Sequence, residues 1–438
     1  MKQSYIGTSP YLSGHLFTAM CANSPTPNTL THQSLTESLS FLCHNEKPTL
    51  PFLERLFTHF DTSHTGLSAS DLTTLLQDLL QLTKKDLSIL TPSLPKEDPT
   101  PYARNLCLQA CRHIHALKSQ SHVLLTTPPD SSLPDRLAPA DLADWALRNI
   151  PNLFLPVQTL LSRRFLEPDV VSADTGAEAE STSPEAVSPL PVIHGETSIL
   201  TDSLATLLSW SLPVWRPADP KMETGKQLKW EMLYSAERDG FSINRFEQNT
   251  LKYPGPTFLL IMGSTSGTSP QQIIVGAYLS SPWKKSRQFW GDQSFQILHL
   301  LPNFEVYPPS GQSDNVAYLS GEKSVVGFGG EVGKFWLSTD LRTGTYKNDP
   351  LASKPAYQPS ATRGEFEITF DVDNVEVFGL GGEQALASQK RAWKFEAQDA
   401  SRRAEINLAG GKEVAQQLLA MAVESYSVPP PNDRRNDE

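Results

Sequence analysis

Between Trp230 and Val377 the chain carries side chains of the kinds that move protons: Glu231, Glu237, Asp239, Asp292, Glu305, Glu376 and His299. General acid–base chemistry needs such groups paired, within reach of one reacting atom. Asp292 sits in a Gly-Asp-Gln-Ser turn and Glu305 at the strand end Asn303-Phe-Glu-Val306. His299, the sole histidine of residues 198–382, lies inside the apolar run Ile297-Leu-His-Leu-Leu301 and reads as a structural histidine. No Ser/His/Asp order, cysteine nucleophile or metal triad accompanies them. The same stretch lacks cysteine, which removes a thiol-peroxidase mechanism. The sequence therefore assigns no catalytic residue, no cofactor and no metal ligand.

Two further segments invite a ligand. Asp61, Ser63 and Thr65 alternate ahead of Gly66, between two apolar helical stripes, in the manner of a calcium-binding helix–loop–helix. Position twelve counted from Asp61 is Leu72, and taking Asp71 instead makes the loop one residue short. The expectation is an EF-hand-like helix pair that holds no calcium at cellular concentrations. The glycine cluster Val326-Gly-Phe-Gly-Gly-Glu-Val-Gly333 would need a following helix to cradle phosphate. The next segment, Lys334-Phe-Trp-Leu-Ser338, reads as a strand, so these glycines serve tight turns and close sheet approach.

Helical spacing runs from about Leu35 to Arg164, in stripes such as Leu53, Leu56, Phe57, Phe60 and Leu72, Leu75, Leu76, Leu79, Leu80, punctuated by proline. Residues 169–197 are acidic and rich in Ala, Ser and Pro, the composition of a disordered linker. Apolar runs such as Phe258–Ile261 then predict strands covered on both faces, and Glu365–Phe370 alternates like a strand with one wet face. Phe258, Leu260, Val275, Phe295, Phe328, Trp336 and Phe366 are the expected core. After Gly382 helical spacing returns, with Gly410-Gly411 expected to break it.

The 438 residues allow two or three domains. A formal charge of −11 disfavours a nucleic-acid binder. No run reaches the roughly 20 apolar residues of a membrane span, and the amino terminus lacks a secretory pattern. Cys21, Cys43, Cys107 and Cys111 all lie in the first quarter and read as buried or idle thiols. The expectation is an intracellular soluble protein.

The ordered motifs Leu233-Tyr-Ser, Asp239-Gly-Phe-Ser, Gly276-Ala-Tyr, Pro282-Trp and Gly327-Phe-Gly-Gly resemble the TLDc domain family, most nearly its fungal restriction-of-telomere-capping members, which are related to the mTOR-associated TLDc proteins of animals. The resemblance implies an α+β chain: a helical EF-hand-like domain, a β-sandwich of two antiparallel sheets flanked by helices, and a helical tail. With the composition it sets these expected bounds: disordered 1–34, helical 35–168, linker 169–197, TLDc 198–382, helices 383–426 and disordered tail 427–438. It implies a non-enzymatic adaptor linked to oxidative-stress resistance, with the peripheral sector of the vacuolar proton-pumping ATPase as partner. Membrane association would come only through that partner, at the vacuole, for an otherwise cytoplasmic protein. The alternative is an enzyme of oxidative defence using a carboxylate site. Members of this subgroup often begin Met-Gly, a myristoylation pattern; residue 2 here is Lys.

Overall fold

Leu12, Leu16 and Met20 recur every fourth residue, so a helix would stack them on one face. The computed structural model contains that helix, α1 (Pro10–Cys21), with all three side chains buried. It describes residues 9–21, 26, 29–43, 48–61, 64–118, 134–165, 190–213, 228–266, 269–313, 317–319, 326–329 and 334–425. The expected disorder of residues 1–34 is thereby corrected over α1, whose apolar stripe is masked by flanking Ser, Thr and Pro. Met1–Ala385 form one compact unit and Leu386–Glu438 another.

α2 (His32–Leu42) starts at Thr31, whose hydroxyl accepts the Ser34 N–H. Then come α3 (Leu50–Phe60), β1 (Leu67–Ser68), α4 (Ala69–Leu90), α5 (Thr100–Lys118), β2 (Arg136–Leu137), α6 (Pro139–Asn149) and α7 (Leu155–Phe165). β1 and β2 pair antiparallel, Leu67 opposite Leu137, joining the loop after α3 to the start of α6. α3 packs on α6 and α4 on α5.

Most of the expected linker lies outside the described residues, but its end does not. Val192–His194 form β3, which pairs in parallel with β4 (Lys229–Ser235). Leu190 and Ile193 are buried there. The boundary at 197 is thus corrected: a short apolar strand ends the acidic stretch and belongs to the sheet. α8 (Asp202–Ser211) follows, and each of its residues is buried. A helix enclosed on all sides joins layers rather than facing water.

After β4 come α9 (Ala236–Asp239), α10 (Ile243–Thr250), β5 (Thr257–Thr265), β6 (Gln272–Leu279), β7 (Ser286–Trp290), β8 (Gln296–Leu301) and β9 (Glu305–Tyr307). β10 (Ala317–Leu319), β11 (Val326–Phe328), β12 (Phe335–Leu337), β13 (Thr343–Asn348) and β14 (Phe366–Gly379) complete the strands. The expected two separate sheets are one continuous ladder in the order β7-β10-β11-β12-β13-β14-β5-β6-β8-β9, with β3 and β4 joined at β14. The cause is the length of β14, 14 residues. Its residues 366–371 pair with β13, and 370–379 with β5.

The ladder folds back on itself. β13 and β8 are four strand spacings apart, roughly 19 Å in a flat sheet. Yet the rings of Tyr346 on β13 and His299 on β8 have centroids 5.0 Å apart. Alternation then sorts the side chains. Phe258, Leu260, Leu298, Leu300, Val306 and Phe378 join one buried cluster with the helices. Their neighbours Leu259, Ile261, Ile297 and Tyr307 are buried too, so the middle layer is dry on both faces.

Of the expected core, Trp336 and Phe366 are only half-buried. On β12 the period of two points Phe335 and Leu337 inward instead. Gly276, opposite Leu260, is required sterically: a Cβ there would lie 2.6 Å from the Phe258 ring. The second unit is essentially the helix α11 (Gly382–Ser425), which runs unbroken through Gly410-Gly411. Two glycines lower helix propensity by about 1 kcal/mol each but supply no steric stop, unlike proline. Among the described residues no helix is long and apolar enough to cross a membrane.

Candidate functional site

The proton-moving side chains separate into two buried centres and several scattered positions. His299 and Glu305 are register partners across β8 and β9, facing the inside of the folded ladder. Four donors converge on Glu305: Tyr307 OH at 2.7 Å, Ser360 Oγ at 2.7 Å and, more weakly, Thr362 Oγ1 at 3.5 Å on Oε2, and the Ala361 N–H at 2.8 Å on Oε1. Arg363, from the loop before β14, lies 3.8 Å from Oε2. Its Nη2 donates to Tyr307 at 2.6 Å and Tyr346 at 3.0 Å, and meets His299 Nδ1 at 3.1 Å. Lys334, just before β12, donates to Asn348 Oδ1 at 2.7 Å and lies 4.0 Å from the Tyr307 ring centre.

Burial governs the electrostatics of this centre. It pushes Lys334 down to about 7, with Glu305 partly restoring and Arg363 further opposing its charge. It also pushes His299 well below the usual imidazole value, helped by Arg363 and Lys334, so the ring is neutral. Tyr346 is raised to about 12, and Tyr307 is raised as well. The result is a carboxylate facing a guanidinium and a lysine whose charge burial weakens, held among tyrosine and serine hydroxyls. A cavity of about 20 Å³ adjoins Lys334, lined also by Gly329, Asp349, Pro355, Tyr357 and Pro359. That is room for about one water.

Glu376 makes the second centre, on the helix-facing side of β14. It is wholly buried and accepts from Thr197 Oγ1 at 2.6 Å, the Ser198 N–H at 2.8 Å and Asn374 Nδ2 at 3.2 Å. Burial raises its pKa, and these donors pull the other way. Asn374 also accepts the Glu237 N–H, so one Asn-Val-Glu motif fastens both the entry to α8 and the start of α9. Around α9, Asp239 accepts the Ser235 N–H at 3.0 Å and is paired with Arg238. Asp292 is exposed and caps its own turn by accepting the Ser294 N–H at 2.8 Å. Glu231 is on β4, opposite Gly379.

The calcium loop resolves in part, since residues 62 and 63 fall outside the described residues. Asp61 is buried and turns inward to accept the Gly66 N–H at 2.8 Å. Asp71 is exposed and accepts from Ser68, the residue capping α4. Leu72, at the twelfth position, is fully buried. Among the described residues no group of three or more His, Cys, Asp or Glu could hold a metal. The glycine cluster begins as β11, and β12 follows it, so the helix a phosphate cradle needs is missing between 326 and 337 among the described residues. Cys21, Cys107 and Cys111 are buried.

Residues 193–381 match the TLDc domain family. The chain carries a TLDc domain. Its bounds begin at β3 and end where α11 starts, so the family unit coincides with the folded ladder plus α8 to α10. Three similar proteins bear the name restriction of telomere capping protein 5. The Colletotrichum graminicola protein is 26% identical over 56% of this chain and 46% of its own length. The Neurospora crassa protein is 25% identical over 62% and 53%, and that of Emericella nidulans 25% over 74% and 56%. The chain spans about half the length of these relatives.

Sequence reasoning found His299, Glu305 and Glu376 but missed the groups that hold them. Arg363 and Ser360 sit in a loop with no periodicity, so nothing local marks them. Lys334 was readable only as a charge opening an apolar strand.

Proposed function

We propose that this TLDc protein acts by binding, as a non-enzymatic adaptor or regulator of a protein assembly. The carrying observation is that Glu305 and Glu376 each spend their oxygens on four internal hydrogen bonds. A catalytic acid or base must instead keep an atom free for its substrate. The vacuolar proton-pumping ATPase is the partner to test first, and a role in telomere capping is carried over from the relatives' name. Oxidative-stress resistance would follow from such regulation rather than from chemistry in the domain. Contact with the vacuole would then be indirect, from the cytoplasm.

The region before the TLDc domain is proposed as an EF-hand-like pair kept for its geometry: helix–loop–helix units whose loops are joined by β1 and β2. Titration calorimetry of the full chain tests it. No calcium heat is expected at micromolar concentration, because Leu72 brings no oxygen where two are normally supplied. A stoichiometric sub-micromolar heat would refute it.

The adaptor reading is tested by complementing a null strain with Glu237→Gln and Asp292→Asn, with purified partners compared by pull-down. Both variants should complement. A folded variant that keeps its partners yet behaves as the deletion would establish the rival reading, an enzyme of oxidative defence.

A further inference from the structure

The last strand of the ladder, β9, has β8 as its strand partner, so between residues 303 and 307 its far side should present unpaired backbone groups; just beyond, Pro309 bridges to Tyr357. Such an edge is a template for another strand. Its outward donors are nevertheless met by side chains. The Phe304 N–H donates to Asn105 Oδ1 at 3.1 Å, and the Val306 N–H to Asn149 Oδ1 at 3.1 Å. Asn105 Nδ2 in turn donates to the Pro302 carbonyl. One carboxamide on α5 therefore gives and takes two bonds at alternate edge residues, as a neighbouring peptide would. The next outward position is Pro308, which has no N–H to satisfy and whose carbonyl accepts the Gln358 N–H at 3.0 Å, so from residue 308 onward the edge is already paired with the chain's own segment 356–358.

Asn149 is itself fixed, its Nδ2 donating to Trp145 O at 2.9 Å at the end of α6. Gln109, one turn beyond Asn105, reaches the side chains of Asn303 and Thr362 but no edge backbone. The seam between α5, α6 and the sheet thus contains two kinds of polar contact, and only the asparagines substitute for a strand.

We propose that Asn105 and Asn149 are positioning residues that stand in for a missing strand, and that the helical region thereby prevents β9 from pairing with a second copy of this chain. The second copy is the natural competitor because an antiparallel pairing of two identical edges is two-fold symmetric, so each edge is its own complement. The prolines at 302 and 308 confine that pairing to residues 303–307.

The test uses the full chain with Asn105→Ala and Asn149→Ala combined. Amide exchange at Phe304 and Val306 should rise at least about tenfold, and light scattering should show a concentration-dependent dimer that the parent does not form. Val306→Pro added to that variant removes an outward donor and should restore the monomer without restoring stability. Gln109→Ala, which loosens the same seam without touching the edge, should remain monomeric. A double variant that stays monomeric with unchanged exchange overturns the proposal. Dimers that persist with Val306→Pro, or that form equally with Gln109→Ala, overturn it as well, since they would report general unfolding. If the double variant does not fold, Asn149→Ala alone is read against the same two controls.

Discussion

Two carboxylates of the TLDc domain, Glu305 and Glu376, are buried among internal donors, and their substitution separates stability from chemistry. Glu305→Gln would remove the charge facing Arg363 and leave a buried guanidinium poorly matched, at a cost of about 3–5 kcal/mol. Glu376→Gln would turn an amide toward the Ser198 N–H and lose about 1–3 kcal/mol. Thermal melting should show both losses, against near-parental melting for Asp292→Asn, whose carboxylate is exposed. Equal melting of all three would mean that the buried bonds contribute little.

Lys334 gives a pH signature. Its folded pKa, about 7, lies below that of an unfolded lysine, so between pH 7 and 10 the unfolded chain holds more protons. Stability from this group therefore rises with pH across that window. The parent should gain melting temperature from pH 7 to 9, and Lys334→Met should flatten the slope. An unchanged slope would show that the amine stays charged when buried.

At the scale of elements, α1 and β6 carry sharp expectations. Leu16 is buried on α1, so Leu16→Ala should cost about 2–5 kcal/mol, as core truncations do. A neutral result by denaturant titration would return residues 10–21 to the disordered reading. Gly276→Ala would drive a methyl into the Phe258 ring and toward the Leu259 carbonyl, 3.0 Å away, costing about 1–3 kcal/mol. The Gly-Ala-Tyr motif is then explained by close strand packing. α11 shows the limit of local signals, because glycine pairs punctuate a helix only when tertiary contacts or a proline finish the work.

For the whole molecule, the helices and the TLDc domain share one buried cluster. Residues 190–385 produced alone should be insoluble or should bind a hydrophobic dye strongly. They would expose Phe258, Leu260, Leu298, Leu300 and Val306 together, far more than an ordinary surface patch. A soluble, monomeric fragment with native-like melting would show that the cluster is dispensable.

Much of this was readable in the residues themselves. Strand-length apolar runs fixed β5, β6 and β8, because a segment dry on both faces has no polar alternation to display. The helical stripes Leu53–Phe60 and Leu72–Leu80 were equally plain. The motifs from Leu233-Tyr-Ser to Gly327-Phe-Gly-Gly marked the TLDc domain. Only the tertiary structure decided that the two expected sheets are one ladder, since that depends on how β14 is shared by β13, β5 and β4. It alone brought Arg363 to Glu305 and Asn105 to Phe304, pairs 58 and 199 residues apart in sequence. Periodicity reports which face of a segment is dry; it is silent on which distant donor completes a buried acceptor, and that is settled when the layers close.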